Sequence, residues 1–285
     1  MKKAILFALA AMLALALSAC GTKTDEDAAG ETPEAEAGAP ADESPDAEDD
    51  LAYLLDKGTL IIGITEYEPM NYYDESGKLV GFDTEFAEAV CAKLGLTPEF
   101  EIINWDTKEI ELNAKSIDCI WNGLTVTEER RANMAFSDAY LRNEQVVVAR
   151  AADAGKYADV ASLAGVRIVA EAESAGEGAA LSDIADAEYT AVSSQENALL
   201  EIKAGTADAA VIDATMAGAM TGAGTDYADL AVLENIDLTD EEYAIGFRTG
   251  STAVTAINDA IAELASDGTL DGIAEKYGLA ERLVK

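Results

Sequence analysis

The sequence predicts an α/β protein whose folded part forms two lobes, each built on a mainly parallel sheet flanked by helices. Short, fully apolar segments such as residues 60–64 and 166–170 recur along the chain, and such runs are typical of buried parallel strands. Segments with helical periodicity follow them. This alternation indicates ligand sites at the carboxyl ends of the strands. About 235 residues follow the polar amino-terminal region, enough for two lobes of ordinary domain size.

Residues 1–20 have the pattern of a targeting signal. Two lysines precede an apolar run at residues 4–17 that is shorter than a membrane span. Residues 17–20, Leu-Ser-Ala-Cys, resemble a bacterial lipobox, in which the cysteine, here Cys20, is lipidated and becomes the mature amino terminus. The alternative is a plain secretory signal with small residues before its cleavage site. Both interpretations place the protein outside the cytoplasm, and a palmitate-type anchor would hold it in the cell envelope, on the outer face of the cytoplasmic membrane.

Residues 21–50 predict a disordered acidic tether. They are mostly Asp, Glu, Ala, Gly, Pro, Thr and Ser, with no large apolar residue. Such a segment cannot bury enough surface to offset the entropy of ordering. A flexible chain of this length reaches roughly 30 Å, and its like charges extend it further.

The charge and residue usage exclude several functions. The formal net charge is −36, whereas a nucleic-acid-binding protein needs a basic face, so we expect no nucleic-acid partner. The chain has no histidine for general-base or metal chemistry, and we expect no metal, no cofactor and no catalytic residue. Cys91 and Cys119 lie in apolar patterns, so buried free thiols are expected rather than a disulfide, although an exported protein permits one.

Lobe one is predicted to comprise residues 51–149 and 241–285. Its first strand leads into a loop that carries Glu66 and Tyr67. The following helix has Asp83 as its expected N-cap and a glycine at its end. The next strand, with the residues just after it, would place an aromatic side chain at the same edge of the sheet.

Lobe two is predicted to comprise residues 150–240. It begins with a strand, a helix capped by Ser174, and another strand; a helix and a last strand follow. The two chain crossings between the lobes, near residues 148–151 and 238–244, are expected to act as hinges.

A weak internal repeat supports two equivalent lobes. Residues 112–123 align with residues 202–213, and both segments have the pattern of a helix end, a tight turn and a buried strand with aspartate at its second position. In this alignment Gly123 and Asp213 occupy the same site, just past the end of the strand. If the lobes face each other, both positions face one cleft.

Residues 117–131 combine a strand, a glycine turn and the start of a helix. Asn122 and Gly123 break the strand, and a threonine N-cap with two glutamates opens the helix. Arg130 lies in the same first turn, where a cation is unfavourable because it opposes the helix dipole. A residue that is unfavourable for its local structure is often present for function. The hydroxyl of Thr125 and the guanidinium of Arg130 can converge on one carboxylate. The alternative is that Arg130 is a solvated surface charge.

This stretch resembles a segment of the family 3 extracellular solute-binding proteins, the amino-acid receptors of ABC importers. Thr125, Thr127 and Arg130 fall on the marked positions of the family pattern. The resemblance covers residues 59–278, and further motifs occur in order at residues 67–70, 77–83, 136–137, 207–208 and 267–269. It implies a two-lobed periplasmic-binding-protein-like fold of type II with two hinge crossings. It also implies a partnership with ABC importer permease subunits, and we expect a monomer.

The resemblance implies roles for individual residues. Arg130 would pair with the α-carboxylate of an amino-acid ligand, helped by Thr125 and by backbone N–H groups of the lobe-two loop. That loop reads Glu-Ser-Ala where the family usually has Gly-Ser/Thr-Thr. Asp213 and the carbonyl of Gly123 would bind the α-ammonium. The full set of candidate ligand-binding residues is Tyr67, Trp105, Asn122, Gly123, Thr125, Arg130, Ser174, Ala175 and Asp213.

Other interpretations stay open at this point. Tyr67 and Trp105 are expected to enclose the ligand side chain; the alternative is that they are ordinary aromatic residues of the core. For Asp213, the alternative is that it caps the following helix. Candidates for selecting the ligand side chain are Glu66, Trp121 and Arg142. The polar groups of this region favour a polar ligand such as glutamine.

Two other functional classes stay open. The first is an enzyme of the same fold, a dehydratase or a cell-wall lytic enzyme, which the lack of histidine and of an obvious catalytic carboxylate pair disfavours. The second is a ligand-sensing module, usually fused to membrane and signalling domains that this sequence does not show. Fold alone does not decide between these classes.

Overall fold

The computed structural model describes residues 49–284. The predicted targeting signal, including Cys20, and nearly all of the predicted tether lie outside the described residues. Within the described range, no helix has the length and apolar character needed to cross a membrane.

Residues 49–284 contain nine α-helices and thirteen β-strands. The helices are α1 (Asp50–Lys57), α2 (Phe82–Leu94), α3 (Lys108–Asn113), α4 (Glu128–Asn133), α5 (Ala175–Asp183), α6 (Gln195–Ala204), α7 (Ala214–Met220), α8 (Ala253–Ser266) and α9 (Thr269–Lys276). The strands are β1 (Thr59–Ile64), β2 (Tyr72–Tyr73), β3 (Leu79–Val80), β4 (Thr97–Ile102), β5 (Cys119–Ile120), β6 (Met134–Phe136), β7 (Leu141–Arg150), β8 (Arg167–Glu171), β9 (Glu188–Val192), β10 (Ala209–Asp213), β11 (Leu230–Val232), β12 (Asp240–Tyr243) and β13 (Gly246–Arg248).

The folded chain begins at the last residues of the predicted tether. Asp49 caps α1 by accepting a hydrogen bond from the N–H of Ala52 at 3.2 Å. Asp50 is buried and pairs with Arg248 at 3.2 Å. The predicted end of the tether at residue 50 is therefore too late, because a cap and a buried ion pair order both aspartates.

The first lobe is built on a five-stranded sheet with the order β4-β1-β5-β13-β6. Strands β4, β1 and β5 are parallel, whereas β13 runs antiparallel to both of its neighbours. The sheet of the second lobe has the order β11-β7-β10-β8-β9, in which β10, β8 and β9 are parallel. Two mainly parallel sheets flanked by helices confirm the predicted fold class.

Strands β7 and β12 are the two crossings between the lobes, and the first crossing lies near residues 144–145, earlier than the predicted 148–151. Residues 141–144 of β7 pair with β12, and the residues from Gln145 to Ala149 pair with β10 of the second sheet. The sequence analysis placed the strand at residues 146–149 in lobe one, and the pairing of Val146 with Ile212 contradicts that placement. The strand comes before the polar connector in the chain, but only its long-range partner decides its lobe.

Helix-end signals in the sequence are mostly confirmed. Thr127 and Ser174 cap α4 and α5 through their side chains, and Gly95 ends α2 in the left-handed region at φ 71°. Asp83 is not the N-cap of α2, because the helix already begins at Phe82. Its buried carboxylate instead accepts hydrogen bonds from the N–H of Gly123 at 2.7 Å and from a tyrosine hydroxyl at 2.9 Å.

The cores lie on both faces of the two sheets. In lobe one, the ring of Trp121 meets that of Phe86 edge to face, with centroids 5.1 Å apart. Cys91 and Cys119 are buried free thiols in the same core, as the sequence predicted. The apolar cores fix the sheets, so that the loops after their strands face one another.

Candidate functional site

A small cavity lies between the lobes, where the carboxyl ends of the strands in the two sheets meet. Its volume of about 10 Å³ is enough for about one water molecule, so the lobes must move apart to admit a ligand. All nine candidate ligand-binding residues line it, together with three that the sequence analysis missed. The lining residues are Thr65, Tyr67, Trp105, Asn122, Gly123, Thr125, Arg130, Glu171, Ser174, Ala175, Gln195 and Asp213.

Arg130 projects from the first turn of α4 and links the two lobes. One guanidinium nitrogen, Nη1, donates to the carbonyl of Thr125 at 2.8 Å, and Nη2 donates to the carbonyl of Glu173 in lobe two at 2.9 Å. The residue is only 7% exposed, so the alternative of a solvated surface charge is wrong. Burial lowers the pKa of Arg130. A guanidinium stays protonated nonetheless, and it has five N–H donors with which to bind an anion.

Lys108 is a second buried cation that the sequence analysis missed. Its Nζ donates to the carbonyls of Trp105 at 3.0 Å and Glu173 at 2.9 Å. Burial lowers the pKa of Lys108 to about 8. The carbonyl of Glu173 therefore accepts from both Lys108 and Arg130, which are residues of the other lobe. A lysine in a short helix gives no local signal of this role.

Asp213 ends β10 with its carboxylate held by three side-chain amides. Its Oδ1 accepts from Asn143 and from Gln145, each at 2.7 Å, and its Oδ2 accepts from Gln195. Asp213 is the N-cap residue of α7, but its side chain makes no cap hydrogen bond, so the alternative that its carboxylate serves to cap the helix is wrong. The carboxylate lines the cavity instead, as does Gly123, in agreement with the register of the internal repeat.

Glu241, on the crossing strand β12, lies behind Asp213 and escaped the sequence analysis. Its Oε1 accepts from Thr125 Oγ1 at 2.9 Å, from Asn143 at 2.6 Å and from Gln145 at 2.8 Å. Burial, followed by the nearby charge of Asp213, raises the pKa of Glu241 to about 8. The hydroxyl of Thr125 is therefore directed at Glu241 in this closed arrangement.

Glu171 ends β8 and lines the cavity from lobe two. It is 4% exposed, and its Oε1 has no hydrogen-bond partner in the part of the chain that the structure describes. Burial, and then the charge of Asp213, raise the pKa of Glu171 to about 8, although Lys108 and Arg130 oppose this shift. The only sequence signal for Glu171 is its position at the end of a predicted strand.

Asn122 and Gly123 shape the wall of the cavity. The side-chain amide of Asn122 bonds Thr65 and donates to Asn71 Oδ1 at 2.7 Å, so its polar atoms hold the loop after β1. Gly123 has φ +59°, and a Cβ there would lie 2.7 Å from Cε1 of Tyr67. The tyrosine ring and the turn can approach this closely only because position 123 is glycine.

Tyr67 and Trp105 are buried, and both border the cavity. The hydroxyl of Tyr67 is hydrogen-bonded to Thr215 of lobe two and, at 2.7 Å, to Tyr243 of β12. Trp105 lies beneath Arg130, with the guanidinium carbon 5.9 Å from the ring centroid. Both aromatic residues are therefore core residues of their own lobe and walls of the cavity.

The helix α5 begins at the cavity. The hydroxyl of Ser174 accepts from the N–H of Glu177 at 3.1 Å and so caps the helix. This bond keeps the first residues of α5, including Ala175, against the cavity wall. Backbone N–H groups at a helix start have no partner within the helix and favour an anion.

The three candidate selectivity residues lie elsewhere. Glu66 is exposed beside the cavity, and Trp121 is fully buried in the core of lobe one. Arg142 donates to the carbonyl of Glu281 at 3.0 Å and ties down the carboxyl-terminal segment. None of these residues is among the lining residues of the cavity described above. Their place in the sequence is close to the site, but the directions of their side chains depend on tertiary packing.

The fold and the site together define a two-lobed binding protein with a closed cleft, and comparison with known proteins assigns its family. Residues 60–280 match the model of the bacterial extracellular solute-binding proteins, family 3, and the chain belongs to that family.

Individual relatives match over nearly the whole chain. The chain is 30% identical to the L-cystine-binding protein TcyA of Bacillus subtilis over 287 residues, covering 97% of each sequence. It is 27% identical to the arginine-binding extracellular protein ArtP of the same organism, covering 99% of this chain and 100% of ArtP. Among solved structures, a substrate-binding protein of an ABC uptake transporter from Streptococcus pneumoniae with bound histidine matches with a TM-score of 0.76. The identity is 30%, over 83% of this chain and 99% of that one.

Proposed function

We propose that this protein captures a free amino acid between its lobes and delivers it to the permease subunits of an ABC importer. The observation that carries the proposal is the pair of opposite charges on the cavity wall, Arg130 from lobe one and Asp213 from lobe two. An amino-acid zwitterion needs one cation and one anion, held a short distance apart. Membership of the solute-binding family and the amino acids named for its relatives support the same function.

In this proposal the α-carboxylate of the ligand binds the guanidinium of Arg130. Two of its N–H groups already donate to carbonyls, and others complete the fork that a carboxylate matches. The N–H group of Ala175 adds a donor from lobe two, whereas that of Ser174 donates to the carbonyl of Glu171 at 3.3 Å. The α-ammonium binds Asp213 and the carbonyl of Gly123. In a dry cavity each of these pairings is stronger than in water.

Closure of the lobes is coupled to binding. Hydrogen bonds from Arg130 and Lys108 to the carbonyl of Glu173, and one between the hydroxyls of Tyr67 and Thr215, join the two lobes in the closed form. A ligand that contacts both lobes adds to these bonds only when the cleft is closed. It therefore shifts the equilibrium towards the closed form by the free energy of those extra contacts.

The proposed ligand has a polar side chain, with that of glutamine as the starting expectation. Tyr67 and Trp105 enclose it, while Glu171 and Gln195 supply polar groups on the lobe-two side. A thermal-shift screen of the purified protein against the twenty common amino acids tests the proposal. A ligand at a hundred times its dissociation constant adds about 2.7 kcal/mol to the free energy of unfolding. If no amino acid raises the melting temperature, the proposed function is wrong.

The same screen separates a receptor from an enzyme of this fold. The relatives compared above are named for binding and not for catalysis. A receptor returns its ligand unchanged, so mass spectrometry of ligand recovered after long incubation should show one species. Conversion of the ligand to another compound would support the enzyme class instead.

We also propose that Cys20 carries a lipid anchor on the outer face of the cytoplasmic membrane. The support is the lipobox-like sequence before Cys20 and the polar segment that follows it. Cys20→Ala should move the protein from the membrane fraction into the soluble extracytoplasmic fraction. An unchanged distribution in the variant would rule out this anchor.

A further inference from the structure

We infer that Glu171 selects a cationic side chain on the bound amino acid, so that the preferred ligands are basic amino acids. The inference rests on the proposed function of the same cavity and narrows its ligand class. It departs from the expectation of glutamine, because the argument depends on charge rather than on polarity alone.

The first step is the hydrogen bonding of Glu171. Its carboxyl group is 4% exposed and lines the cavity, but Oε1 has no donor among residues 49–284. The nearby Lys108 makes no hydrogen bond to this atom, and its Nζ donates to the carbonyls of Trp105 and Glu173. A buried polar atom without a partner is destabilising, so this atom requires a donor from the ligand or a proton.

The second step is the charge balance of the cavity wall. Its lining residues that can carry a charge at neutral pH are one cation, Arg130, and two carboxyl groups, Glu171 and Asp213. A zwitterionic ligand with a neutral side chain leaves Glu171 protonated. A basic amino acid lets Glu171 ionise and form an ion pair with the ligand side chain.

The third step assigns each charged group of the ligand to a charged residue of the cavity. The ligand α-carboxylate occupies Arg130, and the α-ammonium occupies Asp213. Asp213 already accepts from three amides, so the α-ammonium takes its remaining acceptor site. Glu171 is the remaining carboxylate, and it faces the cavity from the adjacent strand β8. A glutamine amide can hydrogen-bond the protonated Glu171, whereas a cationic side chain can form an ion pair with the ionised carboxylate in a site that excludes water.

Protonation of the empty site is consistent with this assignment. The charged groups that act on Glu171 are Asp213, Lys108, Arg130 and Asp106. Burial, and then the charges of Asp213 and Asp106, raise the pKa of Glu171 to about 8 against the opposing effect of Lys108 and Arg130, so Glu171 holds a proton at neutral pH when no ligand is bound. A ligand cation displaces that proton, and binding of a basic amino acid should therefore release protons.

The experiment compares matched ligands on two proteins by isothermal titration calorimetry. Arginine is paired with its neutral isostere citrulline, and lysine is paired with norleucine. We expect wild-type protein to bind the cation in at least one pair at least about tenfold more tightly than its neutral partner. Glu171→Gln should lose at least about tenfold in affinity for that cation and change little for the neutral partner. Glu188→Gln, an exposed carboxyl change on the neighbouring strand β9, is the control and should match wild type.

A second readout is proton release, measured by titration in two buffers with different ionisation enthalpies. Fewer protons should be released from Glu171→Gln than from wild type at pH 7. If wild type binds neither cation more tightly than its neutral partner, the inference is overturned whatever the behaviour of the variant. If wild type binds glutamine or another neutral amino acid best, only this inference fails. If it binds no free amino acid, the proposed function fails first.

Discussion

Asp213 and Glu241 accept hydrogen bonds from the same two side-chain amides. Asn143 Nδ2 lies 2.7 Å from Asp213 Oδ1 and 2.6 Å from Glu241 Oε1, while the corresponding distances from Gln145 Nε2 are 2.7 and 2.8 Å. Strand pairing produces this arrangement, because Asp213 lies opposite Gln145 on β7 and Glu241 lies opposite Asn143. The crossing strand β7 therefore holds two carboxyl groups side by side, that of Asp213 on the cavity wall and that of Glu241 behind it.

This pair predicts a pH-dependent stability that Glu241→Gln should reduce. Burial, and then the charge of Asp213, raise the pKa of Glu241 from its ordinary 4.5 to about 8. The folded protein holds this proton more tightly than the unfolded chain, so the resulting stabilisation is complete below about pH 4.5 and is lost as the pH rises to about 8. The expected loss between pH 5 and 8 is on the order of 2–4 kcal/mol.

Urea unfolding at pH 5, 6, 7 and 8 measures that slope. Glu241→Gln should show a shallower decline than wild type. Glu242→Gln changes an exposed carboxyl on the same strand and should retain the wild-type slope. Equal slopes for all three proteins would show that Glu241 titrates as a solvated group.

Asp213→Asn should weaken ligand binding and also cost stability. Loss of the charge opposite the ligand ammonium is expected to lower affinity by about 2–5 kcal/mol. The new amide group would also direct its N–H donors at one of the three amides that now donate to Asp213. Facing donors leave a buried group unsatisfied, at about 1–3 kcal/mol.

Calorimetry with the amino acid and with its analogue lacking the α-amino group separates the two effects. Wild type should prefer the amino acid strongly, and Asp213→Asn should largely lose that preference. An unchanged preference would mean that Asp213 does not bind the ammonium, even if the variant is less stable.

Arg130→Lys should lower affinity at least about tenfold, because lysine keeps the charge but loses the fork of parallel donors. It should also remove hydrogen bonds that Arg130 makes to Thr125 and to Glu173 of the other lobe. Titration with a matched amino acid and amino-acid amide should show a preference for the acid in wild type that disappears in the variant. The control is Arg131→Lys, at the exposed neighbouring position. If both variants retain the preference, Arg130 is not the carboxylate ligand.

Tyr67→Phe should shift the lobes towards the open form while leaving the aromatic wall in place. The hydroxyl of Tyr67 bonds Thr215 and Tyr243, which remain within 3.0 Å of each other without it. The net loss is therefore modest, about 0.5–1.5 kcal/mol, and affinity should fall several-fold. Small-angle X-ray scattering should give a larger radius of gyration for the ligand-free variant than for wild type. Tyr73→Phe removes an exposed hydroxyl and should leave both measurements unchanged.

The sequence by itself determined the features that depend on local pattern. Alternating apolar strands and amphipathic helices predicted the two mainly parallel sheets, and threonine and serine side chains marked the starts of α4 and α5. The arginine in the first turn of α4 stood out because it opposes the helix dipole. The internal repeat placed Gly123 and Asp213 at equivalent strand ends, and both line the cavity. These signals depend on local sequence patterns, so they can be recognised without knowing which segments of the chain pack together.

The tertiary structure alone decided which lobe the strand at residues 146–149 joins, and which charged groups become buried in the cleft. Lys108, Glu171 and Glu241 have no local signal that distinguishes them from the many exposed charges of this acidic chain. Their burial results from closure of one lobe on the other and from the pairing of β7 with β10 and β12. Trp121 lies beside the site in sequence but packs into the core. The direction of a side chain and the solvation of its charge depend on contacts between segments far apart in the chain, and a local pattern cannot encode them.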